Sequence, residues 1–222
     1  ADLRPFALQF NRGRLYVGMV NSAETAGATA ADLRAYVYTL DPATLVFSAA
    51  PVFQFALNYP RGALQTFNGT GPGAWNRWVP GFATQSPSGV GTYPQPMLTG
   101  LTFDVNGNLT IGLRDRAGDQ FGYFALDNPA NSTTWEGVAG GDTLFAAITT
   151  PGDLNSGWTL ESNAQAGTFG PTAGANNGEG PGPGPGPLTG FGEYYFADAY
   201  AGTHRELSGG AVGLHRPLHA LA

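Results

Sequence analysis

The stretch LTFDVNGNLTIGLRDRAGDQ, residues 101–120, decides the fold. Two runs rich in apolar and β-branched residues flank Asn106-Gly107, and such runs are typical of strands. A tight hairpin turn favours Asn-Gly, because the turn requires backbone angles φ above zero. The stretch therefore predicts a β-hairpin.

The same pattern occurs near the start of the chain. LQF (8–10), a turn and LYVG (15–18) correspond to LTF (101–103), a turn and LTIG (109–112), and a proline precedes each copy. The second strands are offset by 94 positions (109 − 15), and the second turn is longer by one residue. The chain is therefore predicted to hold two copies of one building block.

Each hairpin is followed by two further candidate strands. LRAYVYTL (33–40) and PVFQFAL (51–57) follow the first hairpin, and TLFAAIT (143–149) and GWTLES (157–162) follow the second. Alternation with period two and enrichment in aromatic residues favour strands over helices here. Each copy is therefore predicted to be a four-stranded meander.

Recurring four-stranded meanders suggest β-propeller blades, although blade repeats usually run to about 40–50 residues. The predicted fold is all-β, with β-propeller-like blades, long Gly/Pro-rich insertions and, as one alternative, an incomplete propeller. The expected divisions of one domain, 1–222, are a first unit at 1–57, an aromatic insertion at 58–96, a second unit at 97–163, a Gly/Pro linker at 164–190 and the start of a third unit at 191–222. The aromatic insertion is expected to pack across a blade edge.

Composition excludes several classes of function. Charged residues make up 12% of the chain, about half the usual share. All ten basic residues are Arg, which excludes Schiff-base and P-loop lysine chemistry, and there is no Cys for a nucleophile or a thiolate metal site. The net charge of −6 with scattered Arg disfavours nucleic acid as a partner. No apolar run is long enough to predict a membrane span.

Several strings carry a resemblance to a known family. These are PFALQFNRGRLYVGMVNSAE, LRAYVYTLDPATLVFSAAPVFQFALNYPRG, YPQPMLTGLTFDVNGNLTIGLRDRAGDQFG, GWTLESNAQAG and FGEYYFADAY with HRELSGGAVGL. Together they resemble the propeller-like region of large bacterial cell-surface proteins that often carry SdrD B-like or immunoglobulin-like repeats. The resemblance implies an extracellular or cell-surface location in bacteria and brings no catalytic residues.

The end of the chain departs from that pattern. The segment resembling LSGGAVGL would normally continue into further blades, whereas here HRPLHALA follows. Either the chain is a fragment or its end has diverged. An unclosed propeller leaves unpaired strand edges, which we expect to be capped by insertions or used for self-association.

Charge concentrates where the quoted hairpin ends, at Arg114, Asp115, Arg116, Asp119 and Gln120. One interpretation is a self-neutralised network that pins the strand end, since Arg binds carboxylates through two parallel hydrogen bonds. The alternative is a binding site for a cation, a sugar or an acidic group near a propeller channel.

A second group of candidate binding residues lies near the C-terminus: Glu193, Asp198, His204 and Glu206. Together with Asp115 and Asp119, these residues could form a calcium site or a glycosidase-like carboxylate pair. DVNGN (104–108) also has the spacing of a short calcium loop, but an Asn-Gly hairpin turn explains the same residues.

The leading hypothesis is a non-enzymatic structural or adhesive module of an extracellular assembly, acting through self-association or contact with cell-surface glycan. Trp75, Trp78 and Trp135 are candidates for the glycan surface, with buried packing as the alternative. A carbohydrate-active hydrolase and a calcium-stabilised module are the other hypotheses. No cofactor is expected apart from calcium as a candidate.

Overall fold

The computed structural model describes residues 2–59, 63–66, 69–72, 74–80, 90–91, 93–121, 125–126, 134–137 and 139–160. The strands are β1 (Leu3–Asn11), β2 (Arg14–Asn21), β3 (Arg34–Asp41), β4 (Val46–Phe47), β5 (Phe53–Ala56), β6 (Ala63–Thr66), β7 (Gly69–Pro72), β8 (Val90–Gly91), β9 (Pro96–Phe103), β10 (Leu109–Asp115), β11 (Ala125–Leu126), β12 (Thr134–Gly137), β13 (Asp142–Ile148) and β14 (Trp158–Leu160). One short helix, α1 (Arg116–Phe121), and a 3₁₀ turn at Ala30–Asp32 complete the described elements. The predicted all-β class is confirmed. The predicted linker at 164–190 and third unit at 191–222 lie outside the described residues.

Two antiparallel meanders dominate the structure. In the first sheet the order is β1-β2-β3, and both β4 and β5 pair with β3. In the second sheet the order is β9-β10-β13-β14. The smaller pairings are antiparallel β6-β7 and a three-stranded sheet in which β12 pairs antiparallel with β11 and parallel with β8.

The two repeated stretches occupy equivalent positions. Leu15–Gly18 lies on β2, the second strand of the first sheet, and Leu109–Gly112 lies on β10, the second strand of the second sheet. Leu15 pairs with Phe10 on β1 in the same way that Leu109 pairs with Phe103 on β9. The sequence repeat is therefore a repeat of strand order and register.

Both first strands carry a bulge at the same place. The register shifts between Pro5 and Ala7 on β1, and between Leu98 and Gly100 on β9, opposite equivalent residues of β2 and β10. An extra residue in a strand reverses the alternation of faces beyond it. The bulge therefore turns Leu98 and Leu101, three positions apart, to the same face.

The first sheet packs one face onto the second sheet. We call this the inner face of the first sheet; its buried residues are Ala7, Tyr16, Gly18, Val20, Ala35, Val37, Phe53 and Phe55. A Cβ atom built on Gly18 would stand 2.4 Å from Leu98 Cδ2 and 3.2 Å from Leu101 Cδ1. The rings of Tyr16 and Phe103 have centroids 4.6 Å apart. The two sheets therefore share one core, where full burial of each leucine contributes about 1.5–3 kcal/mol.

Polar contacts join the sheets at the hairpin turns. Arg12, at the β1–β2 turn, has a positive φ of 46°. Its guanidinium donates to the carbonyl oxygen of Val105 at 3.2 Å and to that of Gly152. Val105 lies in the β9–β10 turn and Gly152 in the turn before β14, so one side chain joins the turns of both sheets.

The segment 74–80 joins the opposite ends of the sheets. The Trp78 backbone nitrogen donates to the Ser22 carbonyl oxygen at 3.0 Å, just after β2. The indole Nε1 of the same residue donates to the Pro96 carbonyl oxygen at 2.9 Å, at the start of β9. Trp75 and Trp78 are both buried. The segment 74–80 of the aromatic insertion therefore packs against both sheets.

Candidate functional site

Asp115 is the last residue of β10 and is 1% exposed. Its Oδ1 accepts hydrogen bonds from the backbone nitrogens of Gln95 and Ala117, each at 2.9 Å, and its Oδ2 accepts one from Gly140 at 3.1 Å. A buried carboxylate is tolerated when hydrogen-bond donors replace its water shell. This arrangement makes Asp115 a structural junction of three chain segments.

Arg114 and Asp119 form the bidentate pair expected of an arginine fork. Arg114 Nε donates to one carboxylate oxygen at 3.0 Å and Nη2 to the other at 2.9 Å. The two side chains are 39% and 27% exposed. A solvent-exposed pair of this kind contributes about 1 kcal/mol or less. Gln120 is exposed beside it on α1.

Arg116 packs inward from the first position of α1. Its guanidinium carbon lies 4.7 Å from the centroid of the Trp78 ring, and Nη1 donates to the Gln95 side chain and to the Val79 carbonyl oxygen. Burial lowers the pKa of this guanidinium. Stacking on an aromatic face and donation to neutral oxygens are both roles that arginine serves well. Arg116 therefore holds the segment 74–80 against the strand end.

The structure brings the strand-end residues together without gathering them into an open carboxylate site. Asp115 is buried and bonded to backbone, while Asp119 is exposed and paired with Arg114. The predicted C-terminal members of the site, Glu193, Asp198, His204 and Glu206, lie outside the described residues. Among the residues that are described, no group of three or more His, Cys, Asp or Glu side chains could hold a metal ion.

The DVNGN turn is built around Asp104. Its Oδ1 accepts from the backbone nitrogens of Asn106, Gly107 and Asn108 at 2.9, 2.8 and 2.9 Å, and its Oδ2 accepts from the Asn108 side chain at 2.7 Å. Gly107 has φ +97°, which an L-residue rarely adopts. The amide groups of the turn thus supply the hydrogen-bond donors for the Asp104 carboxylate.

A buried polar chain lies at the same end of the second sheet and has no obvious sequence signal. The Trp75 indole donates to the Tyr59 hydroxyl at 3.0 Å, and that hydroxyl donates to Asp142 Oδ2 at 2.6 Å. Asp142 is fully buried at the start of β13. Tyr59 and Asp142 are 83 positions apart, so local patterns do not reveal the contact.

The other face of the first sheet is apolar and at least partly exposed. We call it the outer face; its residues are Leu8, Phe10, Leu15, Val17, Tyr36 and Tyr38. Leu8 is 65% exposed and Phe10 is 58% exposed. Exposed apolar patches on a soluble protein mark interaction surfaces. The sequence does indicate such a face, because β1 and β3 carry apolar residues at both even and odd positions. Strands that are covered on both faces have this pattern.

Two aromatic side chains lie close together on this outer face. The rings of Tyr36 and Tyr38 have centroids 6.3 Å apart, and both side chains are partly exposed. Trp75 and Trp78, by contrast, are buried, so the predicted glycan surface does not include them. Trp135 lies in β12.

In the part of the chain that the structure describes, no helix has the length and apolar character needed to cross a membrane.

Two curated relatives show similarity to this chain. The chain is 34% identical to Colossin-A of Dictyostelium discoideum over 119 residues, which cover 53% of this chain and 1% of that protein. It is 29% identical to Colossin-C of the same organism over 120 residues, which cover 53% of this chain and 11% of that protein. The chain therefore spans only a small part of the length of either relative. No family model matches the chain, and no solved structure matches it.

Proposed function

We propose that this chain is a non-enzymatic structural module of an extracellular or cell-surface assembly, that its two meanders are β-propeller-like blades, and that it associates with copies of itself. The observation that carries the proposal is the exposed apolar outer face of the first sheet, where Leu8 and Phe10 are more than half exposed. Covering such a surface is favourable by about 25 cal/mol per Å² of apolar area.

The packing of the two sheets supports blade-like units. The second sheet is a four-strand meander, and the first sheet is a meander β1-β2-β3 in which both β4 and β5 pair with β3. Their first strands, β1 and β9, lie against one another. In a propeller, successive blades also pack face to face with their first strands toward the axis. The similarity to parts of two much longer Dictyostelium proteins is consistent with a module that occurs within larger chains.

The geometry of Asp115 weighs against the hydrolase hypothesis. A general acid or nucleophile must reach its substrate, whereas the Asp115 carboxylate is buried and accepts three backbone hydrogen bonds. The charged strand end accordingly serves the fold, and the apolar face is left as the candidate functional surface.

Particle size and shape test the proposal. Light scattering coupled to size exclusion, with electron micrographs of the same material, is expected to show rings, filaments or other particles of several copies whose population grows with concentration. Monomers at every concentration up to about 100 μM would overturn self-association at the strength of ordinary protein contacts. Turnover on a polysaccharide panel, lost in Asp115→Asn with the fold retained, would instead establish the hydrolase.

Contact with glycan is a second candidate function, favoured by the neighbouring Tyr36 and Tyr38 rings on the outer face. Aromatic side chains provide flat apolar surfaces with a polar end, which suits a sugar ring. Binding to a glycan array that is lost in Tyr36→Ala and Tyr38→Ala, and kept in Val105→Ala, would support it. Binding unchanged in all three variants would remove the outer face as the glycan site.

A further inference from the structure

Leu8 and Leu101 hold equivalent positions in the two sheets and differ in environment. Leu8 pairs with Val17 on β2, and Leu101 pairs with Ile111 on β10, each just after the bulge. Leu8 is 65% exposed, whereas Leu101 is 4% exposed and lies over Gly18. The outer face of the first sheet is therefore a copy of the face that the second sheet buries against the first.

A second pair of equivalent residues extends the match. Phe10 occupies the position of Phe103, since the two residues pair with Leu15 and Leu109. Phe103 packs on Tyr16 of the first sheet with ring centroids 4.6 Å apart, while Phe10 is exposed. The exposed face thus repeats the kinds of side chain that already pack against the first sheet within the chain.

The receiving surface is also repeated. Leu98 and Leu101 sit against Gly18, which pairs across the strands with Ala7 and forms a shallow hollow of small residues. The equivalent pair in the second sheet is Gly112 with Gly100. Both residues of this second pair lack a side chain, whereas Ala7 in the first pair carries a methyl group, so the second hollow contains fewer side-chain atoms than the first.

The surroundings of the second hollow permit contact. Thr102 and Thr110 pair with each other next to the glycines and occupy the positions of Gln9 and Tyr16. Both threonines and Gly100 are partly exposed, and Gly112 is buried. The rim of the hollow is therefore accessible to a partner side chain.

We infer that two copies of this chain pack head to tail, with the outer face of the first sheet of one copy seated on the Gly100–Gly112 face of the second sheet of the next. Leu8 of one copy then lies over Gly112 of the other, as Leu101 lies over Gly18 within a chain. Phe10 lies beside Thr110. The inference rests on the proposed self-association and names its surface as sheet faces, not strand edges.

A second copy is the occupant that the repeat itself specifies. Among the described residues, the outer face lies on the first sheet and the Gly100–Gly112 hollow lies on the second sheet, so the contact is between unlike surfaces. Such contacts repeat from copy to copy and produce a ring when the rotation closes, or a filament when it does not. Propellers hold about 4–8 blades, and the described part of each chain supplies two meanders. A closed ring built from these meanders would contain about two to four copies.

Cross-linking between two single-cysteine variants of the full chain tests the pairing. The chain has no cysteine, so Phe10→Cys and Thr110→Cys each carry a single thiol. A short bis-maleimide is expected to join the two variants when they are mixed and to join neither variant to itself. Self-linking of Phe10→Cys alone would show that the outer faces meet each other, and would overturn the head-to-tail arrangement.

A charge substitution gives an independent measurement. Leu8→Glu is expected to shift the midpoint concentration of assembly upward by at least tenfold, because it places a carboxylate in an apolar contact. Val105→Glu is the matched control, since Val105 is 71% exposed in the β9–β10 turn and is not one of the outer-face residues. Unchanged assembly in both variants would overturn the inference, provided that circular dichroism shows each folded.

The two proposals fail in different ways. Assembly of the unsubstituted chain without cross-links between the mixed variants would retain self-association and reject this surface. A monomer whose Phe10→Cys thiol reacts slowly with a maleimide would show that the face is covered within the chain itself, and would reject both.

Discussion

Gly18 lies directly beneath Leu98, and a Cβ atom at Gly18 would stand 2.4 Å from Leu98 Cδ2. Real side chains do not tolerate such a distance, so the absence of a side chain on β2 sets how closely the two sheets approach. The nearest atoms belong to a fully buried leucine, which has little room to move. The first sheet and the second sheet are therefore fitted to one another at this point.

Gly18→Val is expected to destabilise the fold by about 1–3 kcal/mol, because overpacking forces side chains or backbone to shift. Urea denaturation measures the free energy of unfolding. Combining this change with Leu98→Ala should cost less than the sum of the two single changes, by about 0.5–3 kcal/mol. The control is Gly13→Ala, at a turn with φ +83° and nothing within 4 Å; its cost should simply add to that of Leu98→Ala. Additive costs for Gly18→Val would contradict the contact.

Asp115→Asn is expected to lower the free energy of unfolding by about 1–3 kcal/mol. An amide side chain offers one acceptor oxygen where the carboxylate offers two, and the backbone nitrogens of Gln95, Ala117 and Gly140 require both. Asp119→Asn removes an equal charge from an exposed ion pair and should cost less than about 1 kcal/mol. Equal losses in the two variants, measured by urea denaturation at neutral pH, would show that Asp115 is not a structural junction.

Tyr59→Phe removes the hydroxyl between Trp75 and Asp142. We expect a loss of about 1.5–3 kcal/mol, since the hydroxyl donates to a buried carboxylate and hydrogen bonds to charged groups are the stronger ones. Tyr36→Phe makes the same chemical change on the partly exposed outer face and should stay within about 0.5 kcal/mol of the parent chain. Thermal unfolding of both variants in parallel makes the comparison, and equal melting temperatures would contradict it.

Ionisation of Tyr16 is expected to lower the free energy of unfolding in the alkaline pH range. Burial raises the pKa of the Tyr16 phenol above its ordinary value of 10.0, against the opposing effect of Arg14 and Arg12. A raised pKa in the folded state means that the contribution of Tyr16 is fully present below about pH 10 and is lost as the pH rises through the folded-state pKa. Unfolding free energies measured between pH 8 and pH 11 should therefore fall less steeply in Tyr16→Phe than in Tyr38→Phe. Parallel slopes in the two variants would contradict this assignment.

The strands that carry local signals were predictable from sequence. The Asn-Gly turn and the period-two runs of residues 101–112 are local, so a hairpin and its earlier copy follow from residues that are near in the chain. The third strand of the first sheet was predicted at 33–40 and is found at Arg34–Asp41. Strand β4 and helix α1 were not predicted, because two and six residues respectively are too short for a periodic pattern.

The contacts of the candidate site were less predictable than the strands, because they join residues that are distant in sequence. A charged residue at the end of a hairpin resembles a surface ligand, and nothing near Asp115 shows that the Gln95 and Gly140 amides meet it from 20 and 25 positions away. The same holds for the contact of Tyr59 with Asp142. The outer face was predictable in principle, since apolar residues of both parities on β1 imply cover on both sides.

The bulge at Thr99 gives the first strand of the second sheet a fixed phase. The alternation of side chains between the two faces shifts by one position at this bulge. Leu98 and Leu101 therefore both reach Gly18, although they are three positions apart. Deleting Thr99 would leave Leu98 two positions before Leu101 and on the same side of the strand, whereas inserting one more residue beside Thr99 would turn Leu98 to the other side, away from the core. The one extra residue at Thr99 therefore sets which side chains before the bulge share a side with Leu101 and reach the other sheet.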